Sequence, residues 1–305
     1  MAGTTWYQVH IQLRLNSNLK NKRGASAPFF YLVFMKALFA IFFVFLTSSL
    51  YSQSIKQHLS NGNLMLCAHR GGMYSDHAEN SLRTLEYLEK ALSPAPVMAE
   101  VDIRKSKDGT LFLLHDNTLE RTTNGQGKIE ESTDNYLKSL RLRNGNGEVT
   151  GEKIPTLSEL LDFVAKRNIF LMLDVKIDDW KQILDMVKSK STVHKCLVLT
   201  FKVENSRKVH ELSSEILVSC LVKDRNDWNE ISKVVPSTVM LAYINQATPD
   251  DVIKEMKENR ILLVSDTSEA TTNNSKVYPK ESYSSMKVNV LVTDLPIEVN
   301  TLLKP

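Results

Sequence analysis

The chain has 305 residues, of which 42% are hydrophobic and 24% are charged, and its formal net charge is +3. These values are ordinary for a globular protein with a sizeable core, and the small net charge argues against a nucleic-acid-binding surface. The three cysteines, Cys67, Cys196 and Cys220, lie in apolar runs without metal-binding spacing, so they predict buried thiols and argue against a disulfide framework.

The first fifty residues contain an apolar tract, Phe29 to Leu50, which follows the basic segment Lys20 to Arg23. One interpretation is a secretory signal over residues 35–54, with residues 1–34 as a leader or a mis-set start. The alternative is a membrane anchor, because the tract is long enough to cross a bilayer. We favour the signal because the apolar part after Lys36 is short for a span. Both interpretations predict an exported catalytic part, periplasmic or extracellular, with membrane contact through this N-terminal segment.

From residue 61 onward, short apolar runs alternate with longer stretches of helical periodicity, which is typical of strand–helix units and a parallel sheet. Nine runs are strand candidates: 64–68, 97–103, 110–114, 169–175, 196–201, 216–222, 239–243, 261–265 and 288–293. Residues 61–305 therefore predict a single α/β catalytic domain, a (β/α)8 TIM barrel. Because such a barrel has eight places, we expect one of the last few candidates to lie outside it.

The helix candidates between these runs are 81–92, 157–166, 180–189, 206–212, 228–234 and 249–259. Thr156 precedes Glu159 by three residues and predicts a capping box, and Thr248 before Pro249 predicts an N-cap.

Two polar segments interrupt the pattern. The first contains the glycine-rich stretches 122–127 and 144–147 and predicts a long loop at the barrel mouth, and the second, 267–285, predicts a surface excursion.

Polar side chains stand at the ends of the first two predicted strands. His69 and Arg70 follow the run 64–68 directly, and an imidazole beside a guanidinium at a barrel mouth suits a phosphate-bearing substrate. Glu100 and Asp102 alternate with apolar residues on the second strand, so both carboxylates share one face. Two inward carboxylates repel each other, and either a divalent cation or a salt bridge would offset that cost.

The next two candidate strands also bring polar groups to the predicted rim. His115 follows the run 110–114, and Asp174 and Lys176 share one face at the end of 169–175. Any one of these groups, taken alone, is explained as a buried polar residue whose hydrogen bonds are made within the core. Their recurrence at four successive strand ends favours an active site at the C-terminal face of the barrel.

A set of motifs covers nearly all of residues 64–296. Its segments are His69–Gly71, Glu79–Ser81, Glu100–Asp102, Asp108–Gly109, His115–Gly125, Ile154–Leu161 and Thr293–Pro296. In this set the chain resembles the glycerophosphodiester phosphodiesterase family. The resemblance implies a TIM-barrel enzyme that cleaves a glycerophosphodiester, such as glycerophosphocholine or glycerophosphoethanolamine, into an alcohol and sn-glycerol 3-phosphate. It also implies a divalent cation, Mg²⁺ or Ca²⁺, as cofactor.

The resemblance implies a role for each matching residue. Three acidic residues would bind the metal: Glu100, Asp102 and Asp174. Two histidines would act as acid and base: His69 and His115. Two cations would bind the phosphate: Arg70 and Lys176. Two residues would lie at the edge of the site: Glu79, a candidate further metal ligand, and Asn80. The sequence leaves open whether water or a neighbouring substrate hydroxyl attacks the phosphorus.

The chain departs from the family pattern at several places, and two of these departures concern the metal and the pocket. Asp174 stands where the family usually has a glutamate, which leaves the choice between Mg²⁺ and Ca²⁺ open. The usual aromatic residue and asparagine are missing near the run 261–265, and Phe201 and Tyr243 are candidates to line the alcohol side of the pocket. Two alternatives to glycerophosphodiester hydrolysis remain: phospholipase D-like cleavage of a lysophospholipid or sphingolipid, and a non-catalytic binding protein with a broken metal site.

Overall fold

The computed structural model of the chain describes residues 54–60, 62, 64–266, 277, 279–281, 283 and 287–304. The predicted leader and nearly all of the predicted signal or anchor lie outside these residues, and so does most of the predicted excursion 267–285. In the ranges that are described, no helix combines the length and the apolar character needed to cross a membrane.

Eight parallel strands form a closed barrel, as the alternating pattern predicts. With one further strand outside the barrel, the described residues contain nine strands: β1 (Met65–Ala68), β2 (Val97–Lys105), β3 (Leu111–Leu113), β4 (Ile169–Val175), β5 (Cys196–Thr200), β6 (Leu217–Val222), β7 (Met240–Ile244), β8 (Leu262–Asp266) and β9 (Val290–Thr293). All except β3 pair in parallel, and β1 closes the ring by pairing with both β2 and β9. The TIM-barrel prediction is therefore confirmed.

The strand outside the barrel is β3, so the expectation that one of the last few candidates is peripheral was wrong. β3 pairs antiparallel with the end of β2, where Leu113 lies opposite Ile103. Only residues 106–110 connect the two strands, and Gly109 among them has a φ of 92°. A connection this short makes a hairpin, because a parallel pair needs a crossover of about a dozen residues or more.

Nine helices lie within the described residues: α1 (Ile55–Ser60), α2 (Leu82–Leu92), α3 (Asp134–Ser139), α4 (Leu157–Val164), α5 (Trp180–Ser189), α6 (Val203–Leu212), α7 (Arg225–Val234), α8 (Asp250–Glu258) and α9 (Pro296–Leu303). The capping box between Thr156 and Glu159 is present at the start of α4. The predicted cap of α8 is not, because the Thr248 hydroxyl donates to the carbonyl of Val222 and Pro249 takes the N-cap position.

Two apolar layers hold the barrel together. Alternate residues of β2 and β4 face the surrounding helices, and the intervening residues, such as Met98 and Met172, face the barrel interior. Ile55 and Leu59 of α1 are buried against the interior layer, so α1 packs into the core ahead of the predicted domain start at residue 61. The three cysteines are buried free thiols, as predicted.

The long polar segment between β3 and β4 packs around a core of its own. Its buried residues include Leu119, Leu137 and Leu142, which join Phe112 of β3 in one apolar cluster. At Gly145 the segment passes so close to the loop after β1 that a Cβ there would lie 2.5 Å from the carbonyl oxygen of Tyr74. Only glycine fits at such an approach, so the insertion is docked onto the barrel mouth.

Candidate active site

Three carboxylates meet at the C-terminal end of the barrel interior. Glu100 and Asp102 follow Met98 on the inward face of β2, and Asp174 follows Met172 on the inward face of β4. One carboxylate oxygen from each lies within 4.8 Å of the others, and all three residues are buried. Buried oxygen ligands this close suit a hard divalent cation such as Mg²⁺ or Ca²⁺. The donor set therefore fits the cofactor that the sequence predicts.

The electrostatics of this carboxylate cluster also favour a bound cation. Burial, followed by the charges of Asp102 and Asp174, raises the pKa of Glu100 well above its ordinary value. Burial likewise raises the pKa of Asp174, against the opposing effect of Lys176. Both shifts have the direction expected when negative charges are brought together in a place that excludes water. Without added positive charge, the cluster is costly in its fully ionised form.

Lys176 supplies part of that positive charge. Its Nζ lies 2.5 Å from Asp174 Oδ2 and 3.1 Å from Asp102 Oδ1. Burial acts to lower the pKa of Lys176, but the charges of Asp102 and Asp174 outweigh it and raise the pKa. The structure thus brings Lys176 to the site, where the two carboxylates hold it.

Asn80 fixes the orientation of Asp102. Its Nδ2 donates to Asp102 Oδ2 at 2.9 Å, and the backbone N–H of Asp102 donates back to Asn80 Oδ1 at 3.0 Å. Asn80 is buried and has a φ of 54°. A left-handed residue other than glycine is uncommon and costs about 1 kcal/mol or more, so the fold maintains this geometry against local strain.

Arg70 joins the same cluster through both its backbone and its side chain. The turn His69–Gly71 follows β1 and holds Arg70 at a φ of 51°. This conformation points the backbone N–H of Arg70 at Glu100 Oε2, 2.7 Å away, while its carbonyl accepts from the N–H of Asn80. The buried Nε of its guanidinium has no hydrogen-bond partner within the described structure.

Each catalytic candidate histidine has a carboxylate on its Nδ1. His69 Nδ1 lies 2.7 Å from Asp294 Oδ1, and His115 Nδ1 lies 2.8 Å from Asp116 Oδ1. The Nε2 of His115 lies 2.9 Å from Nη2 of Arg70. A guanidinium can only donate, so this Nε2 accepts and the proton of His115 is on Nδ1. The carboxylates thereby fix the ring orientations, as in histidines that are held for proton transfer or metal binding.

His115 is positioned by the hairpin strand and not by a barrel strand. The N–H of Leu114 donates to the backbone carbonyl of Asp102 at 3.0 Å, and Arg104 Nε donates to the carbonyl of His115 at 2.8 Å. Both contacts tie the residue to β2. The sequence argument placed His115 at the end of a barrel strand; the structure places it at the same rim by this different route.

Glu79 and Arg121 complete the network around His115. Both oxygens of Glu79 accept from Arg121 at 2.8 Å, and Arg121 also contacts both oxygens of Asp116. Hydrogen bonds from Arg121 hold the pKa of Asp116 well below its ordinary range. Glu79 Oε2 lies 3.6 Å from Arg70 Nη1, and Glu79 does not belong to the carboxylate cluster. Glu79 therefore lies at the edge of the site, where Arg70 and Arg121 hold it.

A cavity of about 230 Å³ opens beside the carboxylates. Its lining includes His69, Glu100 and Asp174 on one side. The lining continues through Leu199, next to Asp174 on the neighbouring strand, to Phe201, Leu221 and Tyr243; we call these four residues the aromatic wall. Both aromatic residues that the sequence singled out therefore line the cavity.

Sequence reasoning quoted Asp116, Arg121 and Asp294 within matching motifs but gave them no role. Asp294 directly follows β9, so a carboxylate at the end of the last barrel strand was the available signal. Asp116 is adjacent to His115 in sequence. Arg121 had no such signal, because its contacts depend on how the insertion folds back.

The comparisons with known proteins agree with this geometry. A sequence model of the glycerophosphoryl diester phosphodiesterase family matches residues 69–298. Glycerophosphodiester phosphodiesterase 1 of Mus musculus is 37% identical over 115 residues, which is 36% of this chain and 33% of the mouse protein. A glycerophosphodiester phosphodiesterase of Caldanaerobacter subterraneus subsp. tengcongensis is 31% identical over 37% of this chain and 45% of its own length. The chain thus spans less than half the length of these relatives.

Solved structures share the barrel. A glycerophosphoryl diester phosphodiesterase from Parabacteroides distasonis superposes with a TM-score of 0.70 at 24% identity, covering 82% of this chain and 92% of that one. An Oleispira antarctica phosphodiesterase in complex with the product sn-glycerol-3-phosphate gives a TM-score of 0.64 at 18% identity, covering 80% and 98%. At these identities the structures establish the fold. With the family match over most of its length, the chain belongs to the glycerophosphoryl diester phosphodiesterase family.

Proposed function

We propose that this chain hydrolyses glycerophosphodiesters to an alcohol and sn-glycerol 3-phosphate with the help of a divalent cation. The observation that carries the proposal is the buried cluster of Glu100, Asp102 and Asp174 beside two histidines that carboxylates orient. Family membership gives the reaction class, and the solved relative with bound sn-glycerol-3-phosphate supports the product.

The carboxylate cluster would hold the cation. A divalent cation in such a site polarises a non-bridging phosphoryl oxygen and offsets the charge of its ligands. Asn80 keeps Asp102 oriented for that task, and the N–H of Arg70 does the same for Glu100. The oxygen donors and their spacing suit Mg²⁺ and Ca²⁺ alike. Activity with each ion, measured in the assay below, distinguishes the two.

Arg70 and Lys176 would neutralise the phosphate. The unpartnered, buried Nε of Arg70 supports this role, because a phosphate oxygen would satisfy it. Binding of a phosphate by Arg70 would also draw its guanidinium from His115 Nε2, which is the atom a base must expose.

His115 would act as the base and His69 as the acid. The Nε2 of His115 accepts in the structure and so has the lone pair that removes a proton from water or from the substrate's neighbouring hydroxyl. His69 lines the cavity and is anchored at Nδ1 by Asp294, which leaves Nε2 for donating a proton to the leaving alkoxide.

Cleavage of a lysophospholipid or sphingolipid is the less favoured alternative. Such substrates need a broad apolar surface at the mouth for an acyl chain. Among the described residues that line the cavity, Phe201 is the exposed large apolar side chain, with half of its surface accessible. One ring is a small surface for a lipid tail. The intact set of histidines and cations also disfavours a binding protein without catalysis.

Release of sn-glycerol 3-phosphate from glycerophosphocholine and glycerophosphoethanolamine tests the proposal. The assay is run with Mg²⁺, with Ca²⁺ and with chelator, beside His69→Ala and His115→Ala. We expect activity that needs the cation and falls at least 10³-fold in both variants. Activity that survives chelation would remove the metal assignment, and activity on lysophosphatidylcholine alone would favour the alternative.

Export also remains our proposal. Residues 35–54 would form a signal peptide, residues 1–34 a leader or mis-set start, and residues 61–305 the catalytic domain. The packing of Ile55 and Leu59 into the barrel supports cleavage upstream of α1. Mass spectrometry of the secreted or periplasmic protein would give the mature N-terminus; a membrane-anchored product with an intact tract would instead support the anchor.

A further inference from the structure

Five side chains beside the carboxylate cluster form a closed ring of contacts. Arg70 Nη2 lies 2.9 Å from His115 Nε2, and His115 Nδ1 lies 2.8 Å from Asp116 Oδ1. Arg121 joins Asp116 to Glu79. Glu79 Oε2 lies 3.6 Å from Arg70 Nη1, which closes the ring. The proposed phosphate ligand Arg70 and the proposed base His115 are therefore both held by the other three members.

Arg121 is the member of the ring that binds two carboxylates at once. Its Nε and Nη2 donate to the two oxygens of Asp116 at 2.6 and 3.0 Å. Its Nη1 and Nη2 donate to the two oxygens of Glu79, both at 2.8 Å. A planar guanidinium with five N–H donors can make two such paired contacts, whereas an ammonium group is a point charge without this fork. Arg121 therefore fixes two carboxylates in one plane.

The insertion between β3 and β4 holds the backbone on both sides of Arg121. The N–H of Thr123 donates to the carbonyl of Leu119 at 3.0 Å, and the N–H of Arg143 donates to the carbonyl of Thr122 at 2.7 Å. Leu119, Thr122 and Thr123 are all buried. The insertion thus presents the guanidinium of Arg121 to the ring from a fixed position, although the side chain itself is 45% exposed.

Without Arg121, Glu79 would pair with Arg70. The side chain of Glu79 is 9% exposed and that of Arg70 is 17% exposed, so water screens neither charge well. An unpaired carboxylate in such a place is costly, and among the described residues the other cation within 4.0 Å of Glu79 is Arg70. That pair would take the guanidinium of Arg70 away from a bound phosphate. Asp116 would also lose the hydrogen bonds that hold it against His115.

Resting on the proposed phosphodiesterase function, we propose that Arg121 is a positioning residue of the reaction. It binds Glu79 so that Arg70 is available to the substrate phosphate, and it holds Asp116 so that His115 keeps its orientation. Arg121 lies outside the carboxylate cluster and does not line the cavity beside it, so it acts through these partners. The insertion thereby contributes to catalysis without touching the substrate.

The test compares Arg121→Met with the double variant Arg121→Met/Glu79→Gln in steady-state kinetics on glycerophosphocholine. We expect Arg121→Met to raise KM about tenfold and to lower kcat about tenfold, because both Arg70 and His115 are misplaced. The double variant removes the carboxylate that pairs with Arg70. Its KM should return to within about threefold of the wild-type value, while kcat stays low because Asp116 still lacks its partner. An equal KM in the single and double variants would overturn the proposal.

Arg141→Met is the matched control. Arg141 lies in the same insertion, and its Nη1 donates to the backbone carbonyls of Ser139 and Leu140 at 3.1 and 2.9 Å, away from the ring. We expect its KM and kcat to match the wild type. A loss equal to that of Arg121→Met would show that any disturbance of the insertion is sufficient, and it would overturn the positioning role.

Binding of sn-glycerol 3-phosphate separates this proposal from the proposed function. Calorimetry in the presence of Mg²⁺ or Ca²⁺ measures the affinity without turnover. An affinity that falls about tenfold in Arg121→Met and recovers in the double variant supports the proposal, even if the wild type cleaves no glycerophosphodiester. Equal affinity in the wild type and in Arg121→Met rejects it, even if the wild type is an active phosphodiesterase.

Discussion

The two sides of the barrel mouth are built in different ways. On the side of β1, β2 and β4, almost every functional group is held by another: Asn80 holds Asp102, Asp294 contacts His69, and Arg70 bridges Glu100 and His115. On the side of β5 to β8, apolar surface dominates and the bond between Tyr243 and Asp266 stands out. Proton transfer and cation binding require groups fixed to within fractions of an ångström, whereas a headgroup needs only a complementary surface. Substitutions on the first side should therefore lower the rate more than substitutions on the second.

The largest effect is expected from Glu100→Gln. Loss of one ligand charge should lower kcat about 10³-fold and abolish the rise in Tm that Mg²⁺ or Ca²⁺ gives the wild type. The metal-free variant should be at least as stable as the metal-free wild type, because one member of a repelling group is removed. Calorimetry and thermal unfolding measure these quantities, with Glu204→Gln, largely exposed on α6, as the control. A variant within tenfold of wild-type kcat would contradict the assignment.

Asp294→Asn should lower kcat about 10²-fold with little change in KM. The side chain of Asp294 is only 5% exposed, so its contact with His69 Nδ1 is not replaced by water. Steady-state kinetics on glycerophosphocholine would show the split, and circular dichroism would check the fold. A change confined to KM would mean that Asp294 contributes to substrate binding instead of orienting the histidine.

Asp116→Asn should have a smaller effect on rate, about tenfold, because Arg121 already neutralises Asp116 and the amide oxygen still accepts from His115. Its effect on stability should depend on pH. Arg121 lowers the pKa of Asp116 in the folded state, so the ion pair stabilises the fold above the unfolded value of about 3.9 and this contribution is lost as pH falls further. The loss is complete only when pH falls through the lowered folded-state pKa, so urea unfolding should show a difference between wild type and variant that is larger at pH 7 than at pH 3. An equal difference at both values would indicate a packing defect.

Tyr243→Phe should have the smallest effect. The ring remains and only the hydrogen bond to Asp266 is lost, so kcat/KM on glycerophosphocholine should fall about threefold in steady-state kinetics. A large fall in kcat would show that the two sides of the mouth are not separable as described.

The sequence predicted the barrel because buried parallel strands form unmistakable apolar runs, and it predicted the carboxylate cluster because a period of two places Glu100 and Asp102 on one face. It misplaced the extra strand, because the run 110–114 has the same apolar pattern as the barrel strands. The short connection before this run was the signal for a hairpin, and the prediction did not use it. It also missed the network of Glu79, Arg121 and Asp116. That network joins the loop after β1 to the insertion, and contacts between distant loops have no periodic pattern in sequence.

The hydrogen bond from the N–H of Leu114 to the carbonyl of Asp102 couples two parts of the site when the barrel moves. Asp102 offers its side chain to the carboxylate cluster and its backbone to the segment that carries His115. A displacement of β2 by heat, by a distant substitution or by crowding therefore carries both groups in the same direction. The distance between the Asp102 carboxylate and His115 should vary less than the position of either group. The alignment of the reacting atoms is therefore preserved when the barrel fluctuates.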